Sequence, residues 1–310
     1  MISKPTRDAL GEILIELAEN GRSEIVSVNC DIGKSCKTVD FANKFPNQTI
    51  NVGIAEQNAC GVSAGLATCG KLPFISTYAV FGSMRMSEQI RQEVCYPNLN
   101  VKICCSHGGL TPANDGASHQ GIEDMGIMRT IPNMKVIMPA DYTSARKLVR
   151  AMADDYGATY IRFTRDVAEG IYDEDQEFEI GKAVCLKEGT DVAIIANGDV
   201  VNIAVKAGKQ LETMGISASV YDFHTIKPID AEVIKKEIAK CGKIITVEDH
   251  SVINALGSAV CEVVAEEGVG KVVRIGMQDK FGESGPYEDL LEKHGITVAE
   301  VVKSAQNLLK

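Results

Sequence analysis

Apolar positions along the chain alternate between two spacings. Ile25-Val26-Ser27-Val28, Val101-Lys102-Ile103-Cys104, Lys135-Val136-Ile137-Met138 and Tyr160-Ile161-Arg162-Phe163 are short, mostly apolar runs of the kind that form strands. Between them, Leu10 to Leu17, Met84 to Val94 and Ala145 to Ala153 place apolar residues at helical spacing. Strands separated by helices imply parallel βαβ units, so this part predicts an α/β sheet covered on both faces. Ligands on such sheets bind beyond the carboxyl ends of the strands.

The texture changes after Arg165. Asp166 to Glu179 is acidic and includes Asp173-Glu174-Asp175, as expected of a linker. A second series of strand runs follows at Val192-Ala193-Ile194-Ile195, Ser217-Ala218-Ser219-Val220, Lys243-Ile244-Ile245-Thr246-Val247 and Val272-Val273-Arg274-Ile275, closed by a helix from about Val298 to Leu309. The chain therefore reads as two α/β domains with parallel sheets, mixed at the edge: residues 1–168 and 186–310, joined by a linker over 169–185.

Composition narrows the functional classes. The net charge of −10, without a basic block, would repel a nucleic-acid backbone. No run of apolar residues is long enough to span a membrane, and the start of the chain lacks a signal-peptide core, so a cytoplasmic location is expected. The ten cysteines are scattered, with Cys104, Cys105 and Cys185 in apolar strands, and no pair has metal-binding spacing. They read as reduced, mostly buried thiols.

Two runs concentrate chemistry. Asn51-Val52-Gly53-Ile54-Ala55-Glu56-Gln57-Asn58 sets one carboxylate, Glu56, in an apolar stretch before a Gly/Ala-rich helix. Burial there raises a carboxyl pKa and makes it a proton donor near neutral pH; taken alone, Glu56 equally suits the first turn of a helix. Ser106-His107-Gly108-Gly109 through Asp115-Gly116-Ala117-Ser118-His119-Gln120 gathers two of the five histidines and an aspartate among glycines. Such a loop suits a polyhydroxylated, phosphorylated substrate.

Together these runs resemble the pyrimidine-binding half of the transketolases, enzymes that use thiamine diphosphate, and the likeness extends over nearly the whole chain. The resemblance implies a pyrimidine-binding domain followed by a transketolase C-terminal domain. It implies that Glu56 hydrogen-bonds a ring nitrogen of the cofactor's aminopyrimidine, making the exocyclic amine the base that generates the ylid. Phe81 matches the aromatic residue that stacks on the ring, Tyr78 lines the pocket beside it, and Asp31 is a structural or cofactor-proximal residue. Asp115 and His119 would contact the oxygens near the reacting carbon of a ketose donor, with His107 toward the acceptor or phosphate end. Arg7 and Arg165, each after a threonine, match phosphate-binding arginines, and Ser35 matches more loosely. His250, after the strand at 243–247, reads as a loop or interface residue.

The family's Gly-Asp-Gly motif for Mg²⁺ or Ca²⁺ and the diphosphate is missing: Gly198-Asp199-Val200 lacks the second glycine. The resemblance thus implies the C-terminal subunit of a two-subunit transketolase. An N-terminal partner would hold the metal, thiamine diphosphate would be shared between them, and two copies of each subunit would act on sugar phosphates. A 1-deoxyxylulose-5-phosphate synthase, with both halves on one long chain, and a 2-oxo-acid dehydrogenase beta subunit, which does not need the His107/Asp115/His119 set, are the enzymatic rivals. A catalytically idle binding or regulatory paralogue is the rival from another class.

Overall fold

The computed structural model describes residues 1–310. The first half of the chain forms β1 (Lys4–Pro5), β2 (Ile25–Asn29), β3 (Thr49–Asn51), β4 (Leu72–Tyr78), β5 (Lys102–Ser106), β6 (Lys135–Ile137), β7 (Thr159–Arg162) and β8 (Val167–Ala168). β2 pairs in parallel with β3 and β4, β4 with β5, β5 with β7, and β7 with β6. Every residue of β2, β5 and β7 is buried, as befits strands covered by helices on both faces. The predicted helices at 10–17 and 145–153 lie within Asp8–Glu19 and Tyr142–Asp154, the latter opened by an Asp141/Ser144 capping box.

The helix expected from Met84 to Val94 is broken into three pieces. Ala79–Met84 is a short helix, Ser87–Gln89 a single turn, and Ile90–Cys95 a π-helical segment. The first piece lies flush on β5, where a Cβ at Gly82 would stand 2.4 Å from the Cys105 sulfur. The chain then bends so that Met86, Ile90 and Val94 all reach the core.

The second half contributes β9 (Val184–Lys187), β10 (Val192–Ala196), β11 (Ala218–Asp222), β12 (Thr225–Lys227), β13 (Lys243–Ser251) and β14 (Lys271–Met277). Its sheet has the order β14-β13-β10-β11-β9, parallel except for the antiparallel edge strand β9. Cys185, placed by its pattern in an apolar strand, is exposed because β9 is that edge; all ten cysteines are free thiols, and six are buried. The closing helix spans Val298–Leu308. No helix is long and apolar enough to cross a membrane.

β12 crosses between the halves. It pairs antiparallel with β6, so the first sheet has seven strands in the order β12-β6-β7-β5-β4-β2-β3, with its last strand supplied from residues 225–227. A buried cluster of 36 residues likewise joins Val136 and Tyr160 to Tyr221, Phe223, Ile226 and Leu256. Shared burial of this kind makes one half a part of the other's core. Phe223→Ala is expected to cost about 3–5 kcal/mol, with unfolding in denaturant remaining a single transition by far-UV circular dichroism. Two separate transitions in the parent protein would show that the halves are independent.

Candidate active site

The residues singled out in the sequence gather at the carboxyl ends of the first sheet's strands. Asp31 follows β2, Glu56 follows β3, Tyr78 ends β4, His107 follows β5 and Arg165 follows β7. The strand order reverses at β2, flanked by β3 and β4, and such a switch opens a crevice at the carboxyl ends.

Glu56 occupies the first turn of the helix Glu56–Thr68 and is only 5% exposed. Its carboxylate does not face apolar surface alone, because the Arg85 guanidinium donates to its Oε1 at 3.1 Å. That guanidinium also lies over the Phe81 ring, its Cζ 4.0 Å from the ring centroid. The rings of Phe81 and Tyr78 stack at 5.8 Å, and Tyr78 lies 3.9 Å from the His107 imidazole. His119 sits edge-on to both aromatic rings, at 6.0 and 5.5 Å, with Nδ1 2.9 Å from Ser118 Oγ. An acid, two aromatic rings and two imidazoles thus form one continuous wall.

His107 is buried and adopts a φ of +62°, a left-handed conformation that costs a non-glycine residue about 1–3 kcal/mol and tends to occur at functional sites. Its Nδ1 is 2.7 Å from Ser106 Oγ and its Nε2 3.5 Å from Arg7 Nη1. Burial, then Arg7, Arg165 and His119, push its pKa down to about 3. Near neutral pH His107 is therefore a neutral imidazole that hydrogen-bonds and does not carry a proton to exchange.

Arg7 donates to the Ser35 carbonyl at 3.0 Å, so Ser35 meets it through its backbone and not its hydroxyl. Arg7 Nε is buried without a partner. Arg165 donates from Nη1 to the Pro112 carbonyl at 2.8 Å and to Asp115 Oδ2 at 2.7 Å. Asp115 is thus tied to an arginine. Asp31 stands apart from the wall: its Oδ1 accepts from Asn51 Nδ2 at 2.9 Å, bracing the turn that leads to Glu56. No group of three or more His, Cys, Asp or Glu side chains is placed to hold a metal ion.

Beneath the His107 loop lies an ionic network that the sequence reading did not identify. Arg162, fully buried at the end of β7, has Nη1 3.4 Å from Asp124 Oδ1 and donates from Nη2 to the Asp249 carbonyl oxygen at 2.5 Å. Asp249 in turn accepts from the Leu110 amide at 2.9 Å and, with Asp199, from the Tyr287 hydroxyl. Burial raises both carboxyls, and the proximity of the two reinforces the effect at Asp249. Only glycine fits above this network, since a Cβ at Gly108 would meet Arg162 Nε at 2.0 Å and one at Gly109 would meet Asp249 Oδ2 at 2.0 Å. The readable signals were an arginine inside an apolar strand run and, for Arg85, its position four residues after Phe81 on a helical pattern.

His250 is a strand residue at the contact between the halves. Burial pushes it down to about 4, so it is neutral and its Nε2 accepts from the Gly126 amide at 3.3 Å while Nδ1–H donates to the Ser251 carbonyl at 2.7 Å.

The Arg7–His107 pair makes a titration prediction. A cation disfavours the protonated imidazole, so Arg7→Ala should raise the His107 midpoint, while burial, the larger cause, still holds it below the ordinary value of about 6.5. Histidine ¹³C NMR between pH 3 and 8 measures this, and a parent His107 that titrates above pH 6 would contradict the buried, cation-facing geometry.

Comparison with known proteins places this geometry. The family model described as "Transketolase, pyrimidine binding domain" matches residues 3–169, and "Transketolase, C-terminal domain" matches residues 181–301. The chain is 45% identical over 312 aligned residues to a putative transketolase C-terminal section from Methanocaldococcus jannaschii, covering 100% of this chain and 98% of the relative. It is 38% identical to a 6-deoxy-6-sulfo-D-fructose transketolase subunit from Clostridium sp. (strain MSTE9), covering 97% of this chain and 94% of that one. A solved structure described as a split gene transketolase, inactive beta4 tetramer, superposes with a TM-score of 0.90 at 46% identity over 98% of each chain. With matches to both domains and to relatives over nearly their whole lengths, the chain belongs to the transketolase family.

Proposed function

We propose that the chain is the C-terminal subunit of a two-subunit transketolase that moves a two-carbon ketol unit from a ketose phosphate to an aldose phosphate. The observation that carries this reading is the single wall running from Glu56 and Phe81 through Tyr78 to His107, with Arg7 at its far end. One end suits a flat nitrogen heterocycle and the other an anion.

The fit at the heterocycle end can be judged from Arg85. Its flat, N–H-bearing guanidinium already lies on the Phe81 face while donating to Glu56, so a planar group with ring nitrogens matches the same two surfaces. Thiamine diphosphate, which family membership implies, supplies when bound a carbanion centre for breaking and remaking the carbon–carbon bond. Glu56 would share its proton with a ring nitrogen, Phe81 would stack on the ring, and Tyr78 would line the pocket; Asp31 would stay a brace at the rim. The divalent ion and the diphosphate site are assigned to an N-terminal partner, with two copies of each subunit in the assembly.

At the other end, Arg7 and Arg165 would take the substrate phosphate, each of them close enough to His107 to depress its protonation. A dianion there neutralises two guanidiniums and uses the unpartnered Arg7 Nε. Neutral His107 would orient the sugar by hydrogen bonds, and His119, less buried and beside both rings, would exchange protons with sugar oxygens. Asp115 holds Arg165 in place and would meet a sugar hydroxyl with its remaining oxygen.

Purified alone, the chain should show no transketolase activity, and adding an N-terminal transketolase subunit with thiamine diphosphate and Mg²⁺ should restore it. In that complex Glu56→Gln keeps the shape but cannot give a proton, and should lower kcat by about 10²–10⁴-fold with assembly unchanged by size-exclusion chromatography. Full activity of the Gln variant would defeat the cofactor assignment. Arg165→Ala should raise KM for the sugar phosphate by about 10- to 100-fold, the loss of a charged hydrogen bond worth about 1.5–3 kcal/mol. An unchanged KM would make Arg165 only the partner of Asp115.

A further inference from the structure

Arg85 has no role in the reading above, yet it occupies its centre. The guanidinium is 3.1 Å from Glu56 Oε1 and 4.0 Å from the Phe81 centroid, so it covers the aromatic face and the carboxylate oxygen that a heterocycle would need. Two planar groups cannot stack on one face of one ring. The side chain is 50% exposed and lines a cleft with Ile54, Ala55, Gln57 and Asn58, so it has solvent into which to withdraw. Its backbone lies at the end of the helix Ala79–Met84, where the chain bends before a π-helical segment, a local irregularity frequent at functional sites. Nothing else in the structure holds the guanidinium; its recorded partners are Glu56 and Phe81.

We propose that Arg85 is a stand-in for the aminopyrimidine: it fills the heterocycle site in the free chain, satisfies the buried Glu56 carboxylate, and must swing out for the ring to enter. The proposal rests on the pyrimidine-site reading and deepens it by naming the group that competes for that site. The physical reason is chemical mimicry. A guanidinium is flat, delocalised and rich in N–H donors, as is the amidine-like edge of an aminopyrimidine, so one pair of surfaces serves both. A buried carboxylate left without any partner is costly, and Arg85 removes that cost until ligand arrives. The exchange is cheap because the Arg85 side of the pair is half-exposed, its cation–π contact is weak, and the incoming ring partners the Glu56 carboxylate in its place.

The test uses the full chain and thiamine, which carries the aminopyrimidine without the diphosphate. Dissociation constants from ligand-observed NMR are compared for the parent, Arg85→Ala, Arg85→Lys and Glu56→Gln, and the Arg85 Nε–H signal is followed by ¹⁵N NMR. Removing the competitor should tighten thiamine binding in Arg85→Ala by about three- to tenfold, the scale of two weak contacts made by a half-exposed guanidinium. Lysine, which pairs without stacking, should fall between. In the parent the Arg85 signal, shifted by the Phe81 ring, should return to the free-arginine position as thiamine is added. If Arg85→Ala binds thiamine no better than the parent while Glu56→Gln abolishes binding, the stand-in is overturned and the pyrimidine site survives. If no form binds thiamine, or binding ignores Glu56→Gln in every background, the site reading fails and takes the stand-in with it.

Discussion

A fully buried arginine organises this molecule. Arg162 ends β7 with its guanidinium between Asp124 of the first half and Asp249 of the second, all three without solvent exposure. Desolvating three charges costs more than such a pair returns when its hydrogen bonding is incomplete, and Arg162 Nε and Asp124 Oδ1 have no hydrogen-bond partner. The network is therefore better understood as setting position than as adding stability. Breaking one member of such a network would leave an uncompensated buried charge, a loss of about 3–5 kcal/mol. Its direction is what matters for function: Asp249 holds the Leu110 amide, Gly108 lies against Arg162 and Gly109 against Asp249, and His107 is the next residue back along the chain.

That arrangement gives the second domain a part in the site. In the structure its strand β13 supplies the floor of the His107 loop, its Glu283 carbonyl accepts from Gln120 at 2.9 Å on the far side of the same loop, and β12 completes the first sheet. Contacts from the second half thus brace the loop from below and from its far end, and the φ of +62° at His107 is maintained because those surroundings leave it little freedom to relax.

The wall above this floor is tuned by cations. Burial keeps His107 neutral, with Arg7 and Arg165 adding to it, and Arg85 pairs with Glu56 across the Phe81 ring. Each arginine is lightly held: Arg7 by a backbone carbonyl, Arg165 by Asp115 and a carbonyl, Arg85 by one acid and one ring. Side chains held by few bonds can exchange those bonds for an anion or a heterocycle at small cost, whereas the buried Arg162 cannot.

Local chemistry made much of this legible in advance. Apolar runs set β2, β5, β6 and β7, the Gly-Ile-Ala-Glu run put a buried acid at a helix start, and the Tyr-x-x-Phe spacing set one ring at the end of β4 and the other in the first turn of the helix that follows, where they stack. These depend on neighbours close in sequence, which periodicity records. The break at Arg85–Met86 was not legible, because burying Met86, Ile90 and Val94 in the shared core outweighs a continuous helical pattern. Neither was the neutrality of His107, which depends on burial and on arginines 100 and 58 residues away in the chain, nor the pairing of Arg162 with Asp249 across 87 residues. The sequence by itself determined which side chains were available and the strands and helices that carry them. Only the tertiary structure decided which charges face one another, because electrostatic contacts in a buried site depend on separation in space and on exclusion of water, and neither is written in the order of residues.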